Sequence, residues 1–232
     1  MRPGQNDAMD GSLVVTGASG GLGGAVASRL VADGWHVVAP TIDPAHRHPD
    51  GVVVVEADLT DEEQVAKVVE VAVAEAPLRA VVNLVGGYAE GGRVHETPVA
   101  DFEAQLRLNL RPTYVVTAAA LPHLIANGGG SVVCVSSRAA LRPFPGAAGY
   151  ITAKAALLTL VDALAVEYRD DKVRVNAILP SVIDTPANRA AQPDADHGRW
   201  VAPAEIAALI SFLCSDASAP TSGAHIPVYG RA

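Results

Sequence analysis

Short apolar runs alternate along this chain with longer stretches in which apolar positions recur every three or four residues. The runs are Leu13–Val15, Trp35–Ala39, Val52–Val55, Ala80–Leu84, Ser131–Val135, Val173–Leu179 and Ala224–Val228. The amphipathic stretches are Leu22–Ala32, Asp61–Glu75, Asp101–Ala126, Tyr150–Tyr168 and Pro203–Cys214. Strand-length runs rich in β-branched residues, separated by helix-length segments, predict βαβ units and a parallel sheet. Seven strands with intervening helices imply an α/β, doubly wound architecture. Thr60 is the expected N-cap of the second helix, followed by the acidic first turn Asp61-Glu62-Glu63. Pro203 suits the first turn of the last helix. The stretch Asp184–Arg199 follows neither pattern, and a polar loop of that length predicts a lid rather than a plain connector.

Composition narrows the class. The 232 residues suit one domain with a core that needs neither disulfide nor metal. Half the residues are hydrophobic while only 4% are aromatic, so the core is built from Ala, Val, Leu and Ile, as in strands buried on both faces. A net charge of −8 without a Lys/Arg cluster argues against a nucleic-acid partner. Cys134 and Cys214 sit in apolar surroundings and read as buried thiols of a reducing compartment. The polar stretch Met1–Gly11 lacks the apolar core of a signal peptide. The apolar runs are interrupted before membrane-spanning length, so no membrane partner and a cytoplasmic location are expected. The histidines show no metal-ligand spacing, so no metal is expected.

Two constellations carry chemistry. Thr16-Gly17-Ala18-Ser19-Gly20-Gly21-Leu22-Gly23 follows the first strand and opens a helix, the context of a dinucleotide-binding loop. Gly17 permits the tight turn, Gly21 lets backbone approach a pyrophosphate, and Gly23 allows close helix–strand packing. The helix start presents free N–H groups to the phosphates. Further along, Tyr150 and Lys154 lie four apart and share one helix face. Ser137 ends a strand thirteen residues before Tyr150, and a strand end and the next helix converge at the carboxyl edge of a parallel sheet.

The variant glycine spacing and the Ser137, Tyr150, Lys154 set resemble the short-chain dehydrogenase/reductase family, and the likeness runs from about Leu13 to Gly230. It implies a Rossmann-type fold and hydride transfer between a nicotinamide and a carbonyl or alcohol. In that setting Tyr150 is the general acid/base. A phenol titrates near ~10, and an adjacent Lys154 ammonium and oxidised nicotinamide are expected to lower that value. Lys154 would also hold the nicotinamide ribose, and Ser137, preferred over Ser136 by its spacing, would polarise the substrate oxygen. Asn109 matches the family's fourth catalytic residue, where an Asn kinks the helix and holds a proton-relaying water. Asp58-Leu59 matches the adenine-contacting Asp, and Asn83-Leu84-Val85-Gly86-Gly87 stands where the family has Asn-Asn-Ala-Gly, with Asn83 and Gly86 expected at the cofactor. Pro180, Ile183 and Thr185 lie in the segment that contacts the nicotinamide carboxamide, where Ser181 replaces the usual Gly.

The cofactor is NADP or NAD. The position that carries an acidic residue in NAD-preferring members is Thr41, and Ser19 and His46-Arg47-His48 stand ready for a 2′-phosphate, so the balance favours NADPH. Asp43, two residues on, argues for NADH. A narrower likeness joins Leu179–Arg189 and Gly86–Gly92 to quinonoid dihydropteridine reductases, which makes that activity the second reading. Those enzymes typically lack the serine and carry Asp at the Thr41 position. A third reading is a catalytically inactive dinucleotide-sensing protein, against which the intact Ser137, Tyr150, Lys154 and Asn109 argue. The expected partners are a small-molecule substrate and further copies of the chain, as a tetramer or dimer. Arg138, Arg142 and Arg189 are placed to flank the mouth of the site.

Overall fold

A computed structural model of the chain describes residues 11–231. The signal-peptide expectation falls on a segment that lies, but for Gly11, outside them. The order of elements is β1 (Ser12–Thr16), α1 (Gly21–Ala32), β2 (His36–Thr41), β3 (Val52–Glu56), α2 (Glu62–Glu75), β4 (Leu78–Asn83), α3 (Val99–Asn109), α4 (Arg111–Ala126), β5 (Gly130–Val135), α5 (Ala148–Glu167), β6 (Val173–Pro180), α6 (Pro186–Ala191), α7 (Pro203–Cys214) and β7 (His225–Val228).

The strands form one seven-stranded sheet in the order β3-β2-β1-β4-β5-β6-β7, with every pairing parallel. This is the doubly wound Rossmann-type arrangement that the alternation predicts. The strand order reverses between β1 and β4, which opens a crevice at their carboxyl ends.

Side chains alternate between two cores, as the pleat requires. Val14, Val38, Val81 and Val132 face the layer of α2, α4 and α5, while Leu13, Val15, Val37 and Val133 face α1 and α7. The α5 helix is apolar and long enough to span a membrane by length and composition. Its Leu157, Leu158, Val161 and Leu164 are buried against the sheet. Tyr114 and Ile125 of α4 and Val166 of α5 stay exposed on the outer face. Cys134 and Cys214 are free and buried.

Three local features differ from the pattern-based expectation. The single helix Asp101–Ala126 is two, broken at Leu110. Pro112 has no N–H to give the Leu108 carbonyl and its ring crowds the preceding turn, so the helix restarts. The N-cap of α2 is Asp61, not Thr60: the Asp61 carboxylate accepts from the Glu63 and Gln64 amides at 2.9 and 3.1 Å. The Thr60 amide and hydroxyl instead donate to Asp58. The stretch Asp184–Arg199 holds a short helix, α6, started by the Thr185 hydroxyl, which accepts from the Asn188 amide, with Pro186 in the first turn.

Candidate active site

The residues expected at the site all lie at the carboxyl edge of the sheet or in the segments that leave it. On the dinucleotide side, Gly17 turns the chain at φ +71°, a region open to glycine. A methyl group on Gly23 would sit 1.9 Å from the Gly17 carbonyl oxygen, so only a glycine lets α1 seat on the turn. Leu22 packs into the core beneath α1 and α7 and fixes that helix start. No side chain caps α1 at Gly20, which leaves its first amides free for an anion.

Beside this cradle lies a cavity of about 620 Å³ lined by Gly17, Ser19, Thr41, Ile42, Asp58 and Leu59. Its walls mix apolar faces with polar groups, as an adenosine requires. One oxygen of the Asp58 carboxylate accepts from both the amide and the hydroxyl of Thr60, at 2.8 Å each. The Thr41 hydroxyl is bonded to the Asp43 carbonyl at 3.1 Å. The Asp43 carboxylate accepts from the Ala45 amide at 2.9 Å and faces His46. Asn83, at the end of β4, is buried on the same face as Val81, and its side chain donates to the Thr117 hydroxyl of α4 at 3.1 Å. The link between β1 and the loop after β4 is made by Thr16, whose hydroxyl accepts from the Leu84 and Val85 amides at 3.0 and 3.2 Å. Thr16 was not singled out in the sequence, although a hydroxyl at the last position of a buried strand is a signal for such a bond.

The reacting groups converge from β5, α5 and the end of α3. The Ser136 hydroxyl donates to the Lys154 carbonyl at 2.7 Å and so ties β5 to α5. The Ser137 hydroxyl accepts from the Ala139 amide at 3.1 Å and is close enough to the Tyr150 phenol to favour its ionised form. Lys154 is buried, with its Nζ donating to the Val135 carbonyl at 3.0 Å. Asn109 is wholly buried; its amide donates to the carbonyls of Gly87 and Gln105 at 3.0 and 3.1 Å and its oxygen accepts from the Gly87 amide at 3.1 Å. Gly86 passes so close that a methyl group there would lie 2.6 Å from the Asn109 oxygen and 2.9 Å from Lys154 Nζ.

Burial sets the charge states. Desolvation pulls Lys154 down to about 8, with Cys134 opposing weakly. Burial also pushes the Tyr150 phenol up, while the Ser137 hydroxyl works the other way. The lowering expected from the sequence counted an oxidised nicotinamide beside the phenol as well as the lysine; among the protein groups desolvation is the larger effect. Lys154 Nζ lies 5.9 Å from the Tyr150 ring centroid and is committed to the Val135 carbonyl, so it does not offset the desolvation. Tyr88 stands edge-on to Tyr150 at 5.2 Å and near Phe144 at 6.3 Å, which adds an aromatic rim that the sequence reasoning had not placed. An aromatic in a Gly-rich loop after a strand was its available signal.

The segment after β6 closes over the cradle. Pro180 ends β6, Ile183 bridges to Val201, and the Thr185 side chain lies 3.0 Å from where a Gly21 methyl would stand. This segment therefore faces the first amides of α1.

A family model described as enoyl-(acyl carrier protein) reductase matches residues 17–230. A solved short-chain type dehydrogenase/reductase from Mycobacterium ulcerans superposes with a TM-score of 0.89 at 27% identity, over 96% of this chain and 89% of that one. The chain belongs to the short-chain dehydrogenase/reductase family. It is, accordingly, an NAD(P)-dependent oxidoreductase. Among other members, the 2-(R)-hydroxypropyl-CoM dehydrogenase of Xanthobacter autotrophicus is 35% identical over 196 residues, 78% of each chain. The 3-ketoacyl-(acyl-carrier-protein) reductase of Brucella melitensis, solved with NADH, superposes with a TM-score of 0.85 at 28% identity, over 95% of this short-chain dehydrogenase/reductase and 98% of that one.

The buried lysine makes stability depend on pH. Folded, Lys154 titrates at about 8; unfolded, at its ordinary 10.5, so between these values the unfolded chain binds more protons. Its burial therefore costs stability below pH 8, and the cost fades as pH rises to 10.5. Lys154→Met is expected to be most stabilised relative to the unsubstituted chain below pH 8, with the difference shrinking toward pH 10.5. Urea unfolding across that range checks this, and a pH-independent difference contradicts it.

Proposed function

We propose that this enzyme interconverts a carbonyl and an alcohol on a small molecule, with Tyr150 as proton donor and acceptor. The observation that supports this most is the meeting of Ser137, Tyr150 and Lys154 beside a glycine cradle at the sheet's carboxyl edge. The free amides of α1, the close seat at Gly23 and the adjoining cavity suit a dinucleotide. When bound, that group supplies or accepts the hydride. Lys154 would orient its ribose, and the segment Pro180, Ile183, Thr185 would hold its carboxamide end.

In the reducing direction, Ser137 donates to the substrate oxygen and draws electron density from the carbonyl carbon. Tyr150 then gives its proton to the oxygen as negative charge develops there. A phenol held above its ordinary value is fully protonated at neutral pH, which suits the donor role. Asn109 positions Gly86 and Gly87 and so sets the wall against which Lys154 rests. The serine hydroxyl beside the phenol favours a carbonyl over a quinonoid pterin.

For the cofactor form we favour NADPH. Asp43, the carboxylate nearest the end of β2, has one oxygen in a turn and the other facing His46, which also lines the cavity. A phosphate there meets an imidazole rather than a free carboxylate.

Tyr150→Phe is expected to cut turnover by about two to four orders of magnitude while cofactor affinity, read by fluorescence titration, changes little. An equal fall in both contradicts the assignment. Thr41→Asp is expected to shift the NADH to NADPH ratio of kcat/KM toward NADH, because a carboxylate binds ribose hydroxyls and repels a 2′-phosphate. An unchanged ratio places the discrimination elsewhere.

A further inference from the structure

The three arginines that the sequence suggests for the mouth of the site stand in different circumstances. Arg189 is taken up by Asp184, with Nη2 2.7 Å from the second carboxylate oxygen. Its charge is already balanced. Arg138 is half-buried and follows Ser137 directly in the chain. Its guanidinium lies over the Tyr229 ring, 5.2 Å from the centroid. Among the described residues no carboxylate comes within ion-pair distance of its guanidinium, and none accepts a hydrogen bond from it. Stacking satisfies the face of a guanidinium but leaves its N–H edge unused. The Arg138 carbonyl accepts from the Leu141 and Arg142 amides at 3.0 and 2.9 Å, so the tight turn brings a second, exposed cation close behind the first.

The loop after β4 carries a charge of the other sign near the phenol: the Glu90 carboxylate accepts from the Tyr88 hydroxyl at 2.7 Å, and Tyr88 in turn meets Tyr150.

We propose that Arg138 recognises an oxyacid group, a carboxylate or sulfonate, carried by the substrate at a distance from its reacting carbon. This rests on the carbonyl–alcohol reading of the same site. A guanidinium pinned flat on a ring offers a rigid pair of donors, which suits the two oxygens of such an anion. The bonds form without any change in the reacting groups, so Arg138 acts on binding and specificity.

The test is calorimetry on the full chain saturated with oxidised nicotinamide dinucleotide. The probes are 4-(hydroxymethyl)benzoate and its neutral methyl ester. The acid is expected to bind about tenfold tighter than the ester, with the gap narrowing as salt is raised. In Arg138→Gln that preference should fall to roughly twofold or less, and Arg138→Lys should restore part of it. Cofactor affinity of each variant reports whether it is folded. In Tyr150→Phe the preference for the acid should persist although turnover is lost, so failure of the anion site and failure of the catalytic assignment are told apart. Equal affinities in the unsubstituted chain, a preference that survives in Arg138→Gln, or binding of neither probe would overturn the proposal.

Discussion

The site depends on a close approach of bare backbone at Gly86. At that point the loop leaving β4 runs against the Asn109 side-chain oxygen and the Lys154 ammonium, closely enough that a methyl group would collide with both. Asn109 is wholly buried and already commits its side chain to both the N–H and the carbonyl of Gly87. Lys154 is buried and commits to the Val135 carbonyl. Three elements distant in sequence, β4, α3 and α5, are thereby locked around one crossing. The same lock fixes Tyr150 one helical turn before Lys154, and it leaves Ser137, just beyond β5, to face the phenol.

The electrostatics follow from that packing. Burying an ammonium without a carboxylate costs free energy, and the lysine responds by releasing its proton more readily. The phenol responds to burial in the opposite sense and holds its proton. The two shifts have opposite sign because burial penalises the charged form of each group. The glycine cradle and the cavity lined by Asp58 and Leu59 lie on the other side of the same edge, so fold and chemistry share one line of strand ends.

Much of this was legible in the chain. Strand-length apolar runs place the seven strands, and the glycine and Tyr150, Lys154 spacings point to their carboxyl ends. The alternation also held information that the resemblance obscured. Asn83 lies two residues after Val81 and shares its face, so its side chain meets Thr117 of α4. Ser136 likewise follows Cys134 on the face that meets α5, which leaves Ser137 for the crevice. The helix break at Leu110 was written in Pro112 but masked by the apolar periodicity on either side. The direction of the Tyr150 shift was not readable, because it depends on how deeply the ring is buried and on where the Lys154 ammonium points. Nor could spacing tell that Arg189 is paired while Arg138 is not.

Gly86→Ala tests the central constraint most directly. The added methyl must displace Asn109 or Lys154, at an overpacking cost of about 1–3 kcal/mol that a domain of this size should survive. The measurement is kcat and cofactor affinity of the folded variant, with Gly128→Ala, a glycine with open space around its Cβ position but positive φ, reporting the effect of a strained methyl far from the site. The expected result is a folded Gly86→Ala protein whose turnover falls on the order of 100-fold and whose cofactor binds more weakly, while Gly128→Ala loses stability alone. A folded Gly86→Ala enzyme with the unsubstituted chain's turnover and cofactor affinity would contradict the account.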